Sequence, residues 1–139
     1  MHNDVAKAEW QGRARAILFY LLAAAFAASA LLELHAVHSL TQLIGWVVLA
    51  LLIMLNLTPF PQLLRSNRVK QMMNDEATAA HRQRSLVAGF WVAVGSALIL
   101  AVVARVWVIA AGDVARLIVT AALSAALMRF ATLELRAAR

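Results

Sequence analysis

Four apolar stretches separated by short polar or charged segments set the pattern of this chain. Ala16 to Leu32 carries no charge. With its flanks it supplies about 20 residues, enough to cross a hydrocarbon core roughly 30 Å thick at 1.5 Å per residue. Leu40 to Phe60 is interrupted only by Thr41, Gln42, Asn56 and Thr58, and Pro59 and Pro61 then disturb a regular helix. Leu86 to Ala104 is uncharged over nineteen residues. Its apolar character runs on past Arg105 through Trp107 and Ile109, which predicts a helix that is tilted or that projects beyond the membrane. The fourth stretch is the weakest, because Arg116 and Arg129 bracket only twelve residues and both must snorkel toward opposite headgroup layers. The pattern predicts transmembrane helices at about 15–34, 40–60, 86–108 and 112–133, with a cytoplasmic loop over 61–85. The expected fold is all-α: one integral membrane domain, 1–139, built as a four-helix bundle.

Composition agrees with a lipid environment. Of 139 residues, 63% are hydrophobic and 14% charged, and the mean hydropathy is +0.76, more apolar than a water-soluble domain requires. The 13 Lys and Arg exceed the 7 Asp and Glu. They lie between apolar runs and not on a polar, foldable surface, which argues against direct nucleic acid binding. With no cysteine there is no disulfide, thiolate metal site or cysteine nucleophile. The segment MHNDVAKAEWQGRAR lacks the compact basic region and cleavage site of a removable signal, so the first apolar stretch is expected to stay as an anchor.

The basic residues also predict topology. Lys7, Arg13, Arg15, Arg65, Arg68, Lys70, Arg82, Arg84, Arg129, Arg136 and Arg139 fall on one side of the four spans, and only Arg105 and Arg116 on the other. The positive-inside rule then places both termini and the central loop in the cytoplasm, with two short connections outside. Trp10, Trp46, Trp91 and Trp107 lie near segment ends, where an indole keeps its N–H in the headgroup zone. Ser85 is expected at the cytoplasmic membrane surface, with Asn74 or Asp75 as N-cap of the helix that enters there.

An offset of 71 residues aligns Asn3 with Asn74, Asp4 with Asp75, Arg13 with Arg84, Phe19 with Phe90 and Tyr20 with Trp91. The matching order of turn, polar helical turns, arginine, aromatic pair and span suggests two tandem transmembrane hairpins in the same orientation. Ala24 and Ala28, Gly89 and Ala93, and Ala121 and Ala125 are small-xxx-small pairs that allow close helix packing.

Candidate chemistry is sparse. Glu33, His35 and His38 cluster at the outer end of the first span, but their spacing suits a metal poorly unless Asp113 joins them, and a solvated helix end is the plainer reading. Arg105 and Asp113 complete a polar outer face, with Asp113 and Arg116 spaced to pair on the first turn of the last helix. Asn56 and Thr58 are placed to bond a neighbouring helix or hold a water. No paired carboxylates, Ser-His-Asp set, HExxH or phosphate-binding glycine loop occurs, so an enzyme is the least supported class and no metal or cofactor is expected.

The remaining candidate is the cytoplasmic face: Arg65, Arg68, Lys70, Met72, Met73, Asp75, Glu76, Arg82 and Arg84. These basic groups suit anionic lipid heads, and the adaptable methionines beside steering charges suit a soluble protein partner. The stretch NDEATAAHRQRSLVAGFW, through Asp75, Glu76, Thr78, Arg82, Arg84, Gly89, Phe90 and Trp91, resembles a motif of small uncharacterised bacterial inner-membrane proteins with four helices. Some of these look like companions of helix-turn-helix regulators. In the first copy of the repeat, Val5, Lys7 and Leu18 stand where Glu76, Thr78 and Gly89 do. The resemblance implies a non-enzymatic protein that binds a soluble, DNA-binding regulator and holds it at the membrane. The alternatives are an accessory subunit of a larger membrane complex, or a small proton-coupled transporter or exporter acting as a homodimer. Such exporters carry a glutamate within their first span, where this chain has alanine and leucine.

Overall fold

The computed structural model describes residues 2–32, 39–58 and 76–137. They form four helices and, among the described residues, no strand: α1 (His2–Leu32), α2 (Leu40–Leu57), α3 (Glu76–Val103) and α4 (Ala111–Ala137). The fold is an all-α four-helix bundle. The last three helices are each long and apolar enough to cross a membrane, and α1 contributes the shorter apolar segment Ala16–Leu31. Large apolar side chains stand open along α2 and α3, among them Ile44, Val48, Leu51, Leu98 and Val102. A surface of that kind is far beyond what a water-soluble monomer exposes and identifies a membrane-associated chain.

Local sequence explains where the elements begin and stop. Ser39 caps α2 with its Oγ accepting from the Gln42 N–H at 3.3 Å, and the Gln42 side chain accepts from the Ser39 N–H at 3.1 Å. This reciprocal pair satisfies two of the donors that a helix start leaves open. At the other end Thr58 turns to φ −92°, ψ 158°, the extended geometry favoured immediately before a proline such as Pro59. α2 therefore ends at Leu57 and not near residue 60.

α3 differs more from expectation. Its helix already includes residues 76–85, so these polar turns assigned to the central loop are helical; the expected cap positions Asn74 and Asp75 lie outside the described residues. At the far end it stops at Val103, and the run through Trp107 is not a projecting helix. The N–H groups of Arg105 and Val106 each reach back three residues, to Val102 and Val103. This tightens the chain into a turn that leaves Trp107 and Val108 exposed. A run of β-branched residues, Val102, Val103, Val106, Val108 and Ile109, weakens helix continuation here.

The bundle is organised around α4, which packs closely against both α1 and α3 and less extensively against α2. Against α1, Phe130 meets Phe19 edge-on at 5.4 Å, the Tyr20 hydroxyl hydrogen-bonds the Thr132 hydroxyl at 2.7 Å, and Ser124 Oγ donates to the Ala23 carbonyl at 3.3 Å. Rising numbers on α1 meet falling numbers on α4, so the two helices are antiparallel. Buried α1 positions Ala16, Phe19, Ala23, Phe26 and Ala30 repeat at steps of three and four, the seam of a left-handed helix pair. The Ala24–Ala28 pair is exposed; the small residues that face α4 sit one position earlier in register.

Against α3 the approach is closer still. A Cβ placed on Gly89 would come within 2.9 Å of the Ala122 carbonyl oxygen and 3.1 Å of the Ala126 Cβ. Gly89 is thus the small residue that lets the two backbones meet, as its small-xxx-small spacing predicts. Ser85, one turn before it, is fully buried within the bundle, and its Oγ donates to the His81 carbonyl at 2.6 Å.

α2 joins through one aromatic. Trp46 stacks on Phe26 at 6.1 Å, donates its indole N–H to the Thr120 hydroxyl at 3.3 Å, and carries the Arg116 guanidinium 5.6 Å from its ring centroid. Trp46 is therefore part of the core, unlike Trp10, Trp91 and Trp107, which are exposed. Arg116 is buried at 7% exposure instead of snorkelling outward, held by a cation–π contact that strengthens where water is excluded. Asn56 and Thr58 do not bridge helices: their side chains donate to the carbonyls of Leu52 and Leu55 on their own helix.

Candidate partner-binding face

Three helix ends share one end of the bundle. Because α1 and α3 both run antiparallel to α4, the polar starts of α1 and α3 lie beside the finish of α4. These ends carry Arg13, His81, Arg82, Arg84, Arg129, Glu134 and Arg136, whose side chains are described, and also Asp4, Lys7, Glu9, Arg15 and Glu76. His81 Nδ1 lies 3.7 Å from Glu134 Oε1, beyond hydrogen-bond distance and with both side chains mostly enclosed, so α3 and α4 are in contact at this end as well as at Gly89.

The predicted face is represented here only in part. Arg65, Arg68, Lys70, Met72, Met73 and Asp75 lie outside the described residues. Glu76 opens α3. Arg82 is half-buried and Arg84 exposed; three- and four-residue spacing fixes this split, since Arg82 stands on the face that continues to Ser85 and Gly89.

A concave surface of about 770 Å³ opens beside Arg84. Ala80, Gln83, Arg84, Val87 and Ala88 of α3 form one wall, and Arg129 of α4 completes it. Gln83 and Arg129 were not among the expected site residues. They are 46 positions apart, and the only hint of their meeting was that Arg84 and Arg129 both flank apolar spans at the same predicted level. On α1 a second hollow of about 510 Å³ is lined by Trp10, Arg13, Ala14, Ile17, Leu18 and Leu21. It too descends from an arginine to apolar side chains.

The opposite end holds the other predicted group. Arg105 is exposed in the turn after α3, and Asp113 is half-buried in the first turn of α4, where a carboxylate suits the helix dipole. Glu33, His35 and His38 lie outside the described residues. Among the described residues no group of three or more His, Asp or Glu side chains is gathered to hold a metal ion.

No family model matches the chain, and no curated protein and no solved structure was found to be similar to it.

Proposed function

We propose that this protein is a non-enzymatic membrane module of the bacterial inner membrane whose basic end faces the cytoplasm and docks a soluble protein, a transcriptional regulator being the partner class its motif implies. The observation that carries this reading is the gathering of three helix ends at one end of the bundle. There α3 continues as helix for ten residues before its apolar span begins at Leu86. At 1.5 Å per residue that is about 15 Å of rigid helix standing beyond the hydrocarbon. Such a platform holds Arg82 and Arg84 in fixed relation to Arg129 and Arg136 on α4. Ordered positive charges of this kind raise the encounter rate with an acidic surface. A regulator docked through an acidic face would be kept away from DNA without any chemistry.

The test is site-specific photo-crosslinking in cells, with the crosslinker at Ala80 on the basic end or at Trp107 on the opposite end. A soluble protein joined from position 80, and not from 107, is the expected result. Capture should also fall when Arg82 and Arg84 are both changed to Glu. Crosslinks only to membrane proteins, or capture indifferent to the charge reversal, would remove the docking reading.

A further inference from the structure

We propose that the hollow between α3 and α4 is a binding site for an anionic phosphate group, with Arg84 and Arg129 as its two guanidinium arms and Gln83 as a neutral donor beside them. The three side chains come from two helices and line one concavity. The contact between His81 and Glu134 and the backbone approach at Gly89 join the same two helices before and after Arg84 along α3, so the helices that carry the arms are held beside each other. Among the described residues no carboxylate lines the hollow or comes within ion-pair distance of Arg84 or Arg129. Two planar forks without an acid between them match a tetrahedral anion that accepts several charge-assisted hydrogen bonds.

Depth in the bundle points to a phospholipid head as the source. Arg84 is the last charge before the apolar run that starts at Leu86, and Val87 and Ala88 form the wall on the membrane side of the arginines. One helical turn further in, Trp91 is exposed on the same stripe of α3 as Arg84 and Val87, followed by Leu98. A headgroup phosphate between the arginines would leave its acyl chains lying along that stripe. Free phosphate offers the same oxygens without the chains. This inference is independent of the docking of a soluble protein and would survive its failure.

Native mass spectrometry of the full chain, released from mild detergent with added phosphatidylglycerol, phosphatidylcholine or inorganic phosphate, tests it. The wild-type chain is expected to retain phosphatidylglycerol over phosphatidylcholine. Arg84→Gln with Arg129→Gln should weaken that retention on the order of thirtyfold, from the loss of two surface cations near an anionic head. Arg84→Lys with Arg129→Lys keeps the charge but not the forks and should fall between. Arg136→Gln, an exposed arginine at the same end that does not line the hollow, should bind as wild type. Retained inorganic phosphate that displaces the lipid at equal concentration would support the site and assign it to the free anion. If the double Gln variant, with helicity unchanged by circular dichroism, holds phosphatidylglycerol as tightly as wild type, or if Arg136→Gln loses as much, the site is not there.

Discussion

α3 and α4 are nearly equal in length, 28 and 27 residues, and both qualify as membrane-crossing helices, yet they occupy opposite situations. Of the most apolar stretch of α3 only 6% is buried inside the bundle, against 39% for α4. The more hydrophobic helix is the peripheral one. This inversion follows from the solvent: in lipid, apolar side chains gain nothing by leaving the surroundings for the interior, so packing and hydrogen bonding decide what goes inside. α4 supplies Thr120 and Ser124 as hydrogen-bonding partners, and Ala126 and Ala131 as small contact residues. α3 supplies one narrow seam, Ser85 and Gly89, and turns Phe90, Trp91, Leu98 and Ile99 outward.

The largest effect expected from this contrast is at paired phenylalanines. Phe130→Ala on α4 removes a fully buried ring and should destabilise the protein by about 3 kcal/mol, whereas Phe90→Ala on α3 should cost less than about 0.5 kcal/mol. Equilibrium unfolding in bicelles measures both, and equal losses would erase the distinction between core and periphery. Two glycines of α3 sharpen it with opposite signs. Gly89→Ala places a methyl against the Ala122 carbonyl and should cost about 1–3 kcal/mol. Gly95→Ala, where nothing lies within 4 Å of the added carbon, should stabilise by roughly 0.5–1 kcal/mol through helix propensity. The smallest contrast is between serines. Ser124→Ala deletes a bond to another helix and should cost roughly 0.6 kcal/mol, while Ser96, whose Oγ donates to Ala93 of its own helix, should be replaceable by alanine with no measurable change in the same assay.

The four helices were legible because long uncharged runs bounded by arginines have few alternatives. Their ranking was not. Arg116 read as the edge of a weak span, and Thr120 and Ser124 drew no reading at all, but these three polar groups are what α4 uses to hold its neighbours. Nor did the sequence distinguish the inward face of α1. When every position of a helix is apolar, hydropathy carries no information about direction, and Ala24–Ala28 is as good a pair by spacing as Ala16, Ala23 and Ala30. Trp46 looked interfacial because indoles usually are, and its partner Thr120 is 74 residues away. The basic end was legible as a charge count and a topology. The hollow between Arg84 and Arg129 was not, since it depends on how closely two helices approach at Gly89.

Because the helix that all the others lean on comes fourth in chain order, little of the native interior beyond the Phe26–Trp46 stack is available while the first three emerge from the ribosome. α1 and α3 must wait in the bilayer as separate rods until α4 is inserted between them. Ribosomes stalled before residue 111 should therefore expose a nascent chain open to membrane proteases. A separately expressed 104–139 peptide, supplied to a 1–103 fragment, should rescue it by taking the vacant central place.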